Sequence, residues 1–215
     1  MKMDSRADDR HFFSPAADIA RSLAGKEGAA PGLLLADLSA LPRIGFKGRD
    51  TSRWLEDRGC PLPGGPNRAA ERDDGALIAA LSWDEHLVLS DPRRVSTLCD
   101  DLESAWELEE GCLCYPVPRR HSHAWFAVAG RFVPQMLAKV CGVDLRPEHF
   151  SGGSVAQTSI ARLNGIIIRV GEDADPAFHV LADSASAEFL WSTLVDAMQE
   201  FGCSIVSRDV FATRG

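Results

Sequence analysis

The octapeptide Ala124-Trp125-Phe126-Ala127-Val128-Ala129-Gly130-Arg131, followed by a short helical run with Met136 and Leu137, opens a stretch reaching Gly202 that the chain writes twice. Earlier stand Arg43-Ile44-Gly45-Phe46-Lys47-Gly48-Arg49 and then Trp54-Leu55, so that Gly48 falls on Gly130 and Leu55 on Leu137, an offset of 82. Further on, His179-Val180-Leu181-Ala182-Asp183 echoes Leu87-Val88-Leu89-Ser90-Asp91 at an offset of 92. The second offset also sets Leu98, Leu102, Ala105 and Trp106 on Leu190, Leu194, Ala197 and Met198. Growth by about ten residues inside the unit is about the length of one inserted hairpin. The pattern reads as an internal duplication, each copy a strand, a short helix, a hairpin and a longer helix. The expected fold is therefore α+β, a pseudo-symmetric duplicated unit of antiparallel sheets, each covered on one face by helices.

At 215 residues the chain can bury a sizeable core, and it is long for one domain yet short for two. Two similar halves sharing an interface satisfy that length. The expected division is an N-terminal arm over 1–30, a first half over 31–111, a linker over 112–123 and a second half over 124–215. With 45% hydrophobic and 25% charged residues the composition is that of ordinary globular proteins. No apolar run approaches the ~20 residues that span a bilayer. The first ten residues carry both charge signs and no apolar signal core, so the expected location is cytoplasmic. A net charge of −8 without a basic stripe argues against nucleic acid or an anionic membrane as the main partner.

In the arm, Ser14 and Pro15 can start a short helix with Ile19 and Leu23 on one stripe and Gly25 at its end. Leu33 to Ser39 and Arg43 to Lys47 follow as apolar and strand-like segments. Asp50 or Thr51 can cap the helix of Trp54 and Leu55, and Gly59 can end it. Cys60 to Asn67, rich in proline and glycine, reads as a long loop that extends through the charged Glu71 to Asp74. Ala76 to Leu81 and His86 to Leu89 form a hairpin, after which Asp91-Pro92 opens a helix with Val95, Leu98, Leu102, Ala105 and Trp106 on one face. Pro116 and Pro118 keep the linker extended. In the second copy Val155 to Leu163 is a strand, and Asn164-Gly165 carries the strongest turn signal in the chain. Ile166-Ile167-Ile168 then returns as a strand buried on both faces. Asp183 or Ser184 caps the last helix, Gly202 ends it, and Ser204 to Phe211 forms a final strand.

No nucleophile, base and electrostatic helper assemble into a catalytic cluster. Asp84-Glu85-His86 suits a solvated turn better than acid–base work. Cys112-Leu113-Cys114 near His121 and His123 offers metal-ligand types but not the usual spacing, so reduced, partly buried thiols are the first reading and a metal site the second. Arg119-Arg120-His121-Ser122-His123 is a compact cationic cluster in an acidic protein. A docking contact with an acidic neighbouring subunit is the favoured role for Arg119, Arg120, His121 and His123, ahead of a solvated linker and of an anion site. Ser151-Gly152-Gly153-Ser154 precedes a strand rather than joining strand to helix, so it reads as a loop. His179, on a buried strand, reads as a satisfied core histidine.

The segment Leu35-Ala36-Asp37-Leu38-Ser39, then Ile44 to Asp50 and a helix with Trp54-Leu55, resembles the opening of the aminomethyltransferase (glycine cleavage T-protein) superfamily. The second copy narrows the likeness. Trp125 to Gly130, Met136 to Leu145, Ala156 to Arg162 and Ala187 to Trp191 together resemble the gamma subunit of heterotetrameric sarcosine oxidases, over about Leu33 to Gly202. The resemblance implies a pseudo-symmetric fold and a non-catalytic accessory subunit that binds and stabilises a large alpha-type subunit. It further implies beta-type and small delta-type partners, in a complex that oxidatively demethylates sarcosine or a related N-methyl amino acid. FAD, FMN, NAD and tetrahydrofolate would sit on the other subunits, and no cofactor on this chain. The equivalent small subunit of an N-methylglutamate dehydrogenase fits the same description.

Catalytic T-proteins carry an Arg-Leu-Glu-x-Gly segment whose carboxylate receives pterin N–H groups; the matching residues here are Arg162-Leu163-Asn164-Gly165. The resemblance thus leaves Arg162 and Asn164 as a folate-pocket remnant. An asparagine offers one acceptor oxygen and an NH2 that opposes a pterin donor, so the anchor for folate is lost. The alternative function is a stand-alone tetrahydrofolate-binding one-carbon transfer protein.

Overall fold

The computed structural model describes residues 32–94, 96–171 and 173–209. The helix expected near Ser14 to Gly25 lies outside these residues, as do Val95 and the end of the final strand expected beyond Asp209. In chain order the first copy contributes β2 (Arg43–Lys47), α1 (Thr51–Glu56), β3 (Arg68–Glu71), β4 (Leu77–Ala80), β5 (Glu85–Leu89) and α2 (Leu98–Ala105), preceded by β1 (Leu33–Asp37). The second contributes β7 (His123–Ala129), α3 (Val133–Leu137), β8 (Val155–Ile160), β9 (Leu163–Val170), β10 (Ala177–Asp183) and α4 (Ala187–Met198), preceded by β6 (Tyr115–Pro118) and followed by β11 (Cys203–Val206).

Two sheets result, one of six strands in the order β11-β1-β7-β10-β9-β8 and one of five in the order β3-β4-β5-β2-β6. Strand alternation sends successive side chains to opposite faces, and here both faces are apolar. Phe126, Val128, Phe178 and Val180 lie under α3 and α4, with Trp191 and Leu194 packed on them. Ile44, Phe46, Ile78 and Val88 lie likewise under α1 and α2. The other faces meet: Leu77, Leu87 and Leu89 of the smaller sheet pack on Trp125, Ile168 and Leu181 of the larger. The expected α+β architecture is thus a four-layer stack, helices outside and two sheets in the middle. Burying each such leucine or valine contributes roughly 1.5–3 kcal/mol, so the inter-sheet layer is a major part of the stability.

The registers display the duplication. Ile44 pairs with Val88 in the smaller sheet and Phe126 with Val180 in the larger, matching the offsets of 82 and 92. Through their partners Ala70 corresponds to Ala156 and Ile78 to Ile167, offsets of 86 and 89. The ten-residue growth therefore accumulates in small steps across three connections, and the expected inserted hairpin does not exist.

The two copies exchange their leading strands. β1 precedes β2 in sequence but pairs with β7, whereas β6 precedes β7 but pairs with β2. The pairing is equivalent in both sheets, Leu34 on Ala129 and Tyr115 on Lys47. Residues 112–123 therefore supply a strand to the first sheet besides linking the copies, and the first apolar segment belongs to the second sheet. Gly48 and Gly130, at φ 135° and 124°, explain why the repeat keeps glycine here. A Cβ on Gly48 would stand 2.0 Å from the Leu113 carbonyl oxygen, and one on Gly130 would stand 2.5 Å from that of Gly32. Gly32 and Leu113 are themselves equivalent, each leading into an exchanged strand.

Several local expectations are corrected. Asn164-Gly165 is not the hairpin turn: Ala161 and Arg162 take the positive φ angles, 51° and 68°, and Asn164 and Gly165 pair with Ser159 and Thr158 inside the ladder. Gly165 is needed for close approach, since a Cβ there would stand 2.6 Å from Ile160 Cδ1 and 3.0 Å from the Leu181 carbonyl oxygen. Asp91 does not cap a helix, because its Oδ1 accepts from Arg93 N and Nε, both at 2.9 Å, and α2 starts only at Leu98. Trp106 leaves the helix in an extended conformation, and its Nε1 donates to the Cys114 carbonyl at 2.8 Å. Asp50 Oδ2 accepts from Leu113 N instead of capping α1. Part of the expected loop, Arg68–Glu71, is strand β3, because its backbone pairs with β4. The last strand ends at Val206, where its parallel pairing with β1 stops.

Candidate partner interface

The turn from β6 to β7 carries the cationic cluster. Arg119 Nη2 donates to Glu85 Oε1 at 2.6 Å, and Glu85 Oε2 accepts from Lys47 Nζ at 2.9 Å. Arg119 Nη1 also lies 3.0 Å from His123 Nε2. A guanidinium only donates, so Nε2 is the acceptor and the imidazole proton sits on Nδ1, facing Ser122 Oγ at 2.9 Å. Burial, then the charges of Arg119 and Arg43, lower the His123 pKa to about 4, which keeps it neutral at pH 7. Arg120 Nη2 donates to Asp100 Oδ1 of α2. His121 is exposed, and its carbonyl accepts from Ser184 Oγ at 2.8 Å. Arg119 and Arg120 thus already carry carboxylate partners, and an acidic neighbour must compete with Glu85 and Asp100 for them.

Under this turn lies Arg43, 2% exposed. Its Nη1 donates to the carbonyls of Ser39 and Leu41, both at 2.8 Å, and its Nη2 to those of Arg120, at 2.6 Å, and His123. Ser39 and Leu41 lie in the crossing from β1 to β2, and Arg120 and His123 in or at the end of the equivalent crossing from β6 to β7. One guanidinium therefore ties together both crossings of the strand exchange. Burial and the Arg120 charge lower its pKa to about 10, still well above neutrality.

The opposite end of the smaller sheet, toward which Arg119 reaches through Glu85 and Lys47, is apolar and open. Lys47 pairs with both Glu85 and Tyr115, Gly48 N donates to the Asp84 carbonyl, and Asp50 N donates to that of Leu113. This brings together the β4–β5 turn, with Trp83 77% exposed, and the start of β6, with Leu113 and Tyr115 at 38% and 44%. Two prolines in the four-residue edge strand β6 blunt that edge against strand addition.

The folate-pocket remnant is divided. Arg162 sits exposed in the β8–β9 turn, while Asn164 lines a shallow groove of about 370 Å3 with His123, Gln157, Thr158 and Ser159. Gln157 Nε2 already donates to the Leu81 carbonyl at 2.6 Å. No carboxylate lines this groove, so its donor set does not fit a pterin that presents paired N–H groups. Cys114 is buried, Cys112 half-buried, and no group of three or more His, Cys, Asp or Glu side chains among the described residues is arranged to hold a metal ion. His179 is buried, and Trp125 Nε1 donates to its Nδ1 at 3.0 Å, as expected of a satisfied core histidine. Ser151 to Ser154 is a loop that joins the two sheets, with Arg68 Nη1 at 3.2 Å and 3.1 Å from the two serine hydroxyls and Ala69 N donating to Gly153 O at 2.7 Å. Arg43 and the Trp83 patch escape sequence reading, since an arginine at a strand start and a tryptophan in a turn carry no pattern of their own.

This four-layer fold with duplicated sheets is of the aminomethyltransferase type. It matches glycine cleavage system aminomethyltransferase T of Bartonella henselae with a TM-score of 0.62 and 15% identity, covering 89% of this chain and 58% of that one. The more specific likeness is to sarcosine oxidase subunit gamma of Corynebacterium sp. (strain U-96), 24% identical over 199 residues, 90% of this chain and 93% of that protein. In structure, a chain of the heterotetrameric sarcosine oxidase of Corynebacterium sp. U-96, in complex with pyrrole 2-carboxylate, matches with a TM-score of 0.73 and 23% identity over 90% of this chain and 98% of that one. No family model matches the sequence.

Proposed function

We propose that the chain is a non-catalytic, gamma-type accessory subunit of a sarcosine oxidase-like flavoenzyme complex that oxidatively demethylates sarcosine or a related N-methyl amino acid. The observation that carries this reading is the end-to-end likeness to sarcosine oxidase subunit gamma, which spans 93% of that protein. The chain binds and stabilises a large alpha-type subunit, alongside beta-type and small delta-type subunits. FAD, FMN, NAD and tetrahydrofolate sit on those partners. The docking surface runs from the apolar end of the smaller sheet, Trp83, Leu113 and Tyr115, along the Arg119 side chain to the cationic turn of Arg119, Arg120, His121 and His123 at the other end of that sheet. No helix among the described residues is long and apolar enough to cross a membrane. The proposed location of the complex is the cytoplasm.

Native mass spectrometry of the chain recovered from its own cells tests the proposal. One large and two smaller partners in stoichiometric amounts, with a flavin absorbance spectrum, is the expected outcome. A lone chain that binds tetrahydrofolate at micromolar concentration, with affinity lost on changing Arg162, would overturn it in favour of a one-carbon transfer protein.

A further inference from the structure

A cleft of about 420 Å3 opens where the end of α1, the β3–β4 turn and the start of α2 meet. Three arginines from three separate segments, Arg58, Arg72 and Arg94, line it together with the apolar Leu98, Leu102 and Ala105. Arg58 is fixed in place: its guanidinium carbon lies 3.8 Å from the Trp54 ring centroid, and one of its nitrogens donates to the Trp54 carbonyl at 3.1 Å. The rest of that planar fork is available to a ligand. Arg94 makes no hydrogen bond or ion pair among the described residues. Two carboxylates also line the cleft. Asp74 faces Arg72 at 3.7 Å, and Asp101 accepts from the Thr97 hydroxyl at 2.8 Å.

We infer that this cleft binds a small organic monocarboxylate, its carboxylate held by Arg58 and Arg94 and its hydrocarbon part lying on Leu98, Leu102 and Ala105. Three cations against two anions leave one net positive charge, which one carboxylate neutralises. A dianion such as phosphate would bring its second charge against Asp74 and Asp101. A planar carboxylate accepts paired N–H bonds from a guanidinium fork, and the apolar lining rewards a carbon chain that a bare inorganic anion lacks. No metal or redox step is involved, and the site is independent of the subunit reading.

Calorimetric titration of the full chain with sodium acetate, sodium hexanoate and inorganic phosphate tests the inference. Saturable hexanoate binding with a Kd of about 1 mM or tighter, at least fivefold tighter than acetate and phosphate, is expected. Arg94→Ala, which removes an exposed side chain without internal partners, should weaken hexanoate at least fivefold while leaving the thermal midpoint unchanged. Asp101→Asn should improve phosphate relative to hexanoate. Absence of saturable hexanoate binding would overturn the inference, as would hexanoate binding that Arg94→Ala leaves intact. Equal affinity for acetate and hexanoate would remove the role of the apolar lining and overturn it as well.

Discussion

Arg43 holds a permanent charge at 2% exposure, and four carbonyls from the two crossings take the place of water around it. Hydrogen bonds to a charged group contribute ~1.5–3 kcal/mol each against an unpaired alternative, with incomplete additivity. Arg43→Met is expected to cost about 3 kcal/mol or more in urea unfolding, and Arg43→Lys to rescue little, because an ammonium cannot span four carbonyls from one centre. A cost under ~1 kcal/mol for both would mean the crossings hold without the clamp. His179 sets a second test. Trp125 donates to its Nδ1, so the ring is neutral, and burial pushes its pKa from 6.5 to about 4. The unfolded chain then binds a proton that the folded chain refuses, so stability falls as pH drops from about 6.5 toward 4 and is flat above that window. His123, lowered by burial and by Arg119, and His86, lowered by burial, act in the same direction. Between pH 7.5 and 5.0, His179 alone should remove roughly 2 kcal/mol, and His179→Gln should flatten the profile by that amount. An unchanged profile in the variant would assign the acid sensitivity elsewhere.

At the scale of elements, strands and helices were legible where apolar periodicity and turn chemistry agreed. The hairpin of β4 and β5 and the stripe Leu190, Leu194, Met198 follow from spacing alone. Misreadings fell where one residue type serves two physical ends. Glycine permits a positive φ angle, the basis for reading Asn164-Gly165 as a turn, but it also permits close packing, which is its use at Gly165. Aspartate before proline is a capping signal until a guanidinium two residues on occupies the carboxylate, as Arg93 does at Asp91. The Gly165 account makes its own prediction. Gly165→Ala should destabilise the protein by ~1–3 kcal/mol through overpacking against Ile160 and the β10 backbone, and Ile160→Val in the same chain should recover part of the loss. If Gly165→Ala proved neutral in thermal unfolding, the close approach would not be the reason for the glycine.

At the scale of the whole molecule, the strand exchange decides how the two copies depend on each other. The larger sheet takes β1 from ahead of all the smaller sheet's strands, so the second half does not complete its sheet alone, whereas the smaller sheet is completed by β6 from the connection between the copies. The same exchange puts β6 at a free edge beside the Trp83 turn, and so creates the apolar end of the smaller sheet. The exposed aromatic side chains grouped there are the ground for the proposed docking surface. Replacing Trp83 and Tyr115 together by serine should leave the fold intact, since both side chains are largely outside the core. It should make the isolated chain more monodisperse and lower its recovery with a large partner at least tenfold, read by co-purification and size exclusion. Undiminished recovery would move the docking surface to another face, with Phe189 on α4 and Leu108 after α2 as the remaining exposed large apolar side chains among the described residues.

The sequence by itself determined the duplication, the α+β class, the near absence of catalytic pattern and the likeness to gamma-type subunits, because these rest on local periodicity and on residues compared along one line. Only the tertiary structure decided which sheet β1 and β6 join, that Arg43 binds both crossings, that Arg162 and Asn164 part company, and that three distant arginines share a cleft. Those depend on contacts between residues far apart in the chain, where the choice is made by backbone pairing and by the need to satisfy buried polar groups, and neither leaves a local mark in the order of amino acids.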